Sequence, residues 1–333
     1  MTRRSMLLLA SLLLSSGLAT LVWVGWSVLH PLPPPYQYSL IQNGTAADFP
    51  ALGLSHWSDL PVQTFELRAT GAEHPLAVLH TSRDASGQPV LLDWQNQLAE
   101  PVLTQTAPLP DLVTLAQAIE QHTPADALIL GWWDVSRQLA LLTGREVLFG
   151  VNLVQPLLLP ASWQGQRADI EKLEQAFWQV NSPPLTPPQA GQFEDYIEAL
   201  LLDEQTGVTK LRTLAGDQPA YLVVHLSDIL KVAALQPQRF GMGYRDFANS
   251  GQIHGLISRV KEWLHSEGYA SYTVDASAAQ TARVYYLTDA ATPTTLLART
   301  LSFSTSNPLA LQTLQLVYQT GGFWVYKVPE KTG

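Results

Sequence analysis

Ala127-Leu128-Ile129-Leu130-Gly131-Trp132-Trp133-Asp134-Val135-Ser136-Arg137-Gln138, followed by Leu142-Thr143-Gly144-Arg145 and then Val147–Val151, decides the fold. Ala127–Gly131 is a short, unbroken apolar run, the pattern of a strand buried on both faces. Ser136–Thr143 has helical spacing and is stopped by Gly144, and Val147–Val151 reads as a second strand. A strand, a helix and a strand in that order make a β-α-β unit, which places the chain in the α/β class with parallel strands in its sheet. Asp134 is well placed as the helix N-cap. The turn it occupies lies at the carboxyl end of a buried strand, where open α/β sheets hold their ligands.

Upstream, Leu112, Leu115, Ala116 and Ile119 share one helical face in a segment that must end before Pro124. Residues 37–109 carry mostly strand signals and form a mainly-β portion. Gln63–Arg68 alternates, and Leu76–His80 and Pro89–Trp94 flank a turn at Arg83-Asp84-Ala85-Ser86-Gly87, the pattern of a small antiparallel sheet.

The stretch 6–29 carries no charge and, as a helix, exceeds the roughly 30 Å of a bilayer's hydrocarbon core. Arg3 and Arg4 precede it, and no Lys or Arg follows until Arg68. The positive-inside rule then makes 1–5 a cytoplasmic tail, 6–29 a transmembrane anchor and 30–36 a Pro-rich spacer. A cleaved signal peptide has a shorter apolar core, and Arg3-Arg4 also resembles a twin-arginine export signal. The expectation is a single-pass protein of the bacterial inner membrane with its bulk in the periplasm.

Downstream, 110–329 reads as one mixed-sheet α/β domain. Asp169–Val180 and Gln189–Asp203 are helical stretches, separated by the linker Ser182-Pro183-Pro184-Leu185-Thr186-Pro187-Pro188. Tyr221–Leu226 is a second buried strand leading through Ser227-Asp228 into a helix ending near Leu235. A long helix from Gly251 to Glu267 presents Ile253, Leu256, Ile257, Val260 and Leu264 on one face. Tyr269–Val274, Arg283–Leu287, Leu297–Phe303, Leu311–Tyr318 and Phe323–Val328 read as strands.

Charged residues are only 14% of the chain, against roughly 25% in ordinary soluble proteins, and the net charge is −9. That balance argues against nucleic acid as a partner and leaves room for a basic protein. With no cysteine, the chain has no disulfide, thiolate-ligated cluster or attached c-type haem. Its 8 histidines form no H-E-x-x-H or H-x-H pair, and no P-loop or nucleophile elbow is present. The expectation is therefore of no cofactor and no catalytic residues.

Two segments carry the candidate ligand- or partner-binding residues. The first is Trp132, Trp133, Asp134 and Arg137, with Arg145 beyond the helix; capping by Asp134 and burial of one Trp would explain the same residues structurally. The second is Tyr244, Arg245 and Asp246 within Phe240–Phe247, with His254. Its glycines match a phosphate loop only in part, and His254, Ser258, Lys261 and His265 also fit a solvated helix flank. Glu194, Asp195 and Glu198 share one helix and read as a solvated face.

The anchor, Gly131-Trp132-Trp133-Asp134-x-Ser136-Arg137-Gln138, Leu142–Arg145, Phe240–Asp246 with Ile253-His254-Gly255, and Leu316-Val317-Tyr318-Gln319-x-Gly321-Gly322-Phe323-Trp324-Val325-Tyr326-Lys327 together resemble the HaoB family. These are accessory proteins of hydroxylamine oxidation, encoded beside hydroxylamine oxidoreductase. The resemblance implies a periplasmic setting and a multihaem oxidoreductase as partner and brings no catalytic residues to carry over, and the lack of any haem motif agrees with an accessory role. Trp132-Trp133-Asp134 is also similar to the acceptor-recognition motif of oligosaccharyltransferase catalytic subunits, which implies an alternative role as an extracytoplasmic peptide- or glycan-binding module.

Overall fold

The computed structural model describes residues 14–23, 25–26, 34–96, 107–150, 161–178, 187–249, 253–275 and 281–330. Of the stretch expected to anchor the chain, 14–23 and 25–26 are helical and the rest lies outside the described residues. No described helix is long and apolar enough to cross a membrane.

The chain opens with an antiparallel meander of β1 (Tyr36–Thr45), β2 (Pro61–Ala69), β3 (Ala77–Arg83) and β4 (Pro89–Asn96), as the alternation predicts. Helix α1 (Leu109–His122) leads to β5 (Leu128–Leu130), α2 (Trp133–Thr143) and β6 (Glu146–Val147), so the β-α-β unit stands. Its second strand is shorter than the expected 147–151, and 151 lies outside the described residues. Gly144 ends α2 at φ 66°, a left-handed conformation that glycine enters without a Cβ penalty.

Three helices follow: α3 (Arg167–Phe177), α4 (Pro187–Leu201) and α5 (Glu204–Ala215). Of the Pro-rich linker, 182–186 lies outside the described residues. Pro187 and Pro188 open α4, where the missing N–H of a first-turn proline costs nothing. α5 is absent from the sequence reading because Gly207 and three threonines weaken its pattern; Asp203 caps it, accepting from the Thr206 N–H at 3.1 Å.

Then come β7 (Ala220–His225), α6 (Asp228–Leu235), β8 (Met242–Ala248), α7 (Ile253–Glu267), β9 (Tyr272–Asp275), β10 (Thr281–Leu287), α8 (Leu296–Thr300), β11 (Gln315–Thr320) and β12 (Phe323–Val328). Two expectations need correction. Leu297–Phe303 is no strand but the short helix α8, started by Thr295, whose hydroxyl accepts from the Ala298 N–H at 3.3 Å. The glycine-rich segment around Met242 forms β8, paired along its length with β10. Ile257, expected on the apolar face of α7, is 41% exposed, while Leu256, Val260 and Leu264 are buried.

The central sheet has the order β11-β12-β7-β5-β6, with β7, β5 and β6 parallel and β12 antiparallel to β7. Its strands bury alternate residues on opposite faces. Leu128, Leu130, Leu222 and Val224 join Leu200, Leu211 and Ile229 from α4, α5 and α6 on one face. Ile129, Tyr221 and Val223 join Leu112, Leu115, Val135 and Leu139 from α1 and α2 on the other. That second cluster also takes in Phe49, Leu52, Leu54, Val62 and Leu92, so the mainly-β portion and the α/β portion share one core. On the far side of the meander, Glu174 of α3 accepts from the Tyr36 and Tyr38 hydroxyls at 2.5 and 2.8 Å, and from the Trp178 indole at 2.7 Å.

Candidate functional site

Neighbouring parallel strands β5 and β7 send their following helices to opposite faces of the sheet: α2 packs in the cluster with α1, α6 in the cluster with α4 and α5. Such a switch point leaves a crevice at the carboxyl ends of the two strands. Asp134 lines it from the first turn of α2, and Ser227 and Lys231 from the start of α6. β4 lines the far wall with Leu91, Leu92, Asp93 and Trp94.

The Lys231 ammonium donates to Asp134 Oδ2 and Asp228 Oδ1, both at 3.2 Å, and stands 5.1 Å from the Trp132 ring centroid. Asp228 is 1% exposed and its second oxygen accepts from the His225 N–H at 2.8 Å. The His225 ring is tied to Ser227, whose backbone N–H donates to Nδ1 at 3.1 Å. Burial raises the pKa of Asp228. Burial also works against the Lys231 charge, but Asp134 and Asp228 outweigh it and hold the amine above its ordinary value. Burial, with the nearby Lys231 charge, pushes His225 down to about 4, so its imidazole is neutral near pH 7.

The expected N-cap role of Asp134 needs correction. Trp132 occupies the N-cap position with extended backbone, and Asp134 sits inside the first turn, bonded to the Val135 N–H at 2.7 Å and paired with Lys231. Trp132 is core, 1% exposed and edge-on to Phe193, while Trp133 is half-buried and its indole N–H has no hydrogen-bond partner among the described residues.

Arg137 turns away from the crevice: 4% exposed, it pairs with Asp84 of the β3–β4 turn at 3.2 Å. Arg145 donates to the Thr123 carbonyl at 3.1 Å and the Glu120 carbonyl at 3.3 Å, tying down the end of α1. Tyr244, Arg245 and Asp246 lie on β8, an edge strand of the separate sheet β8-β10-β9. There Arg283 makes two 2.7 Å bonds to Asp246 and covers Tyr244, while Arg245 covers Trp263. His254 is exposed on α7.

Around the crevice stand Trp132 and Asp134 with residues that sequence reading missed: His225, Ser227, Asp228 and Lys231. The Asp228–Lys231 spacing of three on one helix was the available signal. Among the described residues no group of three His, Asp or Glu side chains could hold a metal ion.

The architecture is that of a three-sheet α/β protein with a buried ionic cluster at the switch point of its parallel strands. The chain belongs to the family of the HaoA-associated protein HaoB, which matches residues 2–328. No curated protein matches the chain. Among solved structures, the C-terminal domain of C. jejuni PglB is similar at 10% identity, with a TM-score of 0.36 over 65% of this chain and 99% of that one. A likeness at that score carries nothing about function.

Proposed function

We propose that this chain is an accessory protein of hydroxylamine oxidation, held at the periplasmic face of the inner membrane by the helix near its N-terminus and associating with hydroxylamine oxidoreductase. The observation that carries the reading is the family match over 2–328, to a protein described by its association with HaoA. Two features support the setting. The stretch 6–29 is uncharged, and Leu14, Leu18, Leu21, Val22, Trp23 and Trp26 are all more than 60% exposed, so apolar side chains ring the helix. A soluble surface does not offer such a cylinder to water.

The test is capture of the full chain from detergent extracts at low salt. Recovery of a multihaem oxidoreductase in stoichiometric yield is expected, weakened when 1–33 is removed, because tethering raises effective concentration. Recovery of glycan-assembly enzymes with no haem protein would overturn the reading. A reporter joined after Gly333 that is active only in the cytoplasm would overturn the topology.

A further inference from the structure

A second and larger cleft lies on the face of the meander that turns towards Asp48–Leu52 and the start of α1. Its volume is about 580 Å³, within the roughly 300–1,000 Å³ of clefts that bind small ligands. A polar row crosses the four strands in register beneath it: Gln42 of β1 is opposite Thr64 of β2, Thr64 opposite His80 of β3, and His80 opposite Asp93 of β4. Directly opposed residues project from the same side of a sheet, so the whole row points one way. Gln42, His80 and Asp93 line the cleft itself.

The row is incompletely bonded. Thr64 is 7% exposed and its hydroxyl has no hydrogen-bond partner among the described residues, a rare state for a buried polar group. His80 Nδ1 stands 3.4 Å from Asp93 Oδ2, longer than an ordinary hydrogen bond, and the Gln95 amide donates to Asp93 at 3.0 Å. Burial works to raise the Asp93 pKa, but the His80 ring and the Gln95 amide outweigh it, so the carboxylate is ionised near pH 7. Asp48 adds a second carboxylate at the exposed rim, and among the described residues no Lys or Arg lines the cleft. Phe49, Leu52, Val78 and Leu109 give it apolar walls.

We infer that this cleft docks a basic side chain, arginine or lysine, presented by a protein partner, with its aliphatic stem along the apolar walls and its charged end on the Asp93 carboxylate. Long cationic side chains bury their stems in this way while the head finds a polar partner. Charge complementarity selects the occupant: two carboxylates with no cation among the lining residues repel an acidic group, and the net charge of −9 draws basic surfaces in. The exposed rim at Gln42, Asp48, Gln95 and Pro110 leaves the outer end of an occupant in water, as a side chain still attached to its own backbone requires. A metal ion is poorly matched, since His80 and Asp93 are not joined by a third ligand among the described residues. The inference rests on the charge and shape of the cleft and is independent of the oxidoreductase assigned above.

The test is fluorescence polarisation with the full chain in detergent and short dye-labelled peptides that differ only at their central residue: arginine, lysine, citrulline or glutamate. Citrulline keeps the shape of arginine without its charge. The arginine and lysine peptides are expected to bind about tenfold or more tighter than the citrulline peptide, and the glutamate peptide not to bind. Asp93→Asn should remove most of that preference and Asp48→Asn part of it, while Asp126→Asn, on the surface elsewhere, should leave it unchanged. If Asp93→Asn does not fold, Asp48→Asn at the exposed rim carries the comparison. Equal binding of the arginine and citrulline peptides, or a preference retained in both cleft variants, would overturn the inference. So would displacement of the arginine peptide by free agmatine at equal concentration, which would assign the cleft to a small amine.

Discussion

Asp134 and Lys231 are 97 residues apart in the chain, yet the ammonium of one lies 3.2 Å from the carboxylate of the other, across the gap where α2 and α6 diverge from adjacent parallel strands. The pair joins the two faces of the central sheet at the one edge where the strands themselves do not. Lys231 is its essential member, because it also pairs with the sealed carboxylate of Asp228.

Lys231→Met should therefore destabilise the protein by about 3–5 kcal/mol, the usual cost of stranding a buried charge. Asp134→Asn should cost far less, on the order of 1 kcal/mol, since Asp134 is partly solvated and Lys231 keeps Asp228. Denaturant titrations of the two variants give the comparison, and equal losses would refute the asymmetry.

His225 gives the stability a pH dependence. Its folded-state pKa of about 4 lies below its ordinary 6.5, so between these values the unfolded chain takes up a proton that the folded chain refuses. The contribution is fully present above pH 6.5 and is lost as pH falls towards 4, by up to about 3 kcal/mol. Asp228, whose pKa burial raises, titrates in the opposite sense, so the measurement is the difference between wild type and His225→Gln. The variant should show a shallower fall in melting temperature over this window.

At Glu174, a carboxylate receives three neutral donors yet has a raised pKa, because burial outweighs them. Glu174→Leu would leave the Tyr36 and Tyr38 hydroxyls and the Trp178 indole unpaired and should cost about 3 kcal/mol or more. Glu174→Gln keeps an acceptor and should cost less. Trp178 fluorescence during unfolding reports both.

Thr295→Ala should cost about 1 kcal/mol through loss of the α8 cap, readable by thermal melting. A null effect would mean that packing of Leu296 and Leu297, both fully buried, holds the turn without its cap.

The fold was legible where one pattern dominated. Alternation in β2, the apolar runs of β5 and β7 and the stop at Gly144 each express a single local preference. α8 was misread because Leu296, Leu297 and Leu301 are all buried, and five helical residues are too few to reveal a period. The site was half legible: Asp134 stood out beside two tryptophans, but its partner Lys231 comes from a segment that only strand order brings near. Of the two tryptophans, Trp132 fills core space, in line with the expected burial of one of them, and Trp133 is half-buried.

β12 is the last strand in chain order among the described residues, yet it lies inside the central sheet, between β11 and β7. Until its residues emerge from the ribosome, β7 has an open edge on the side away from β5, and Val223 and Val224 lack the cross-strand neighbours that Val325 and Trp324 provide. A nascent chain of this kind carries a sticky, half-built sheet through the last part of its synthesis, between β7 and β12. Shielding of that edge during biogenesis, more than the stability of the finished molecule, should then limit how much protein a cell accumulates.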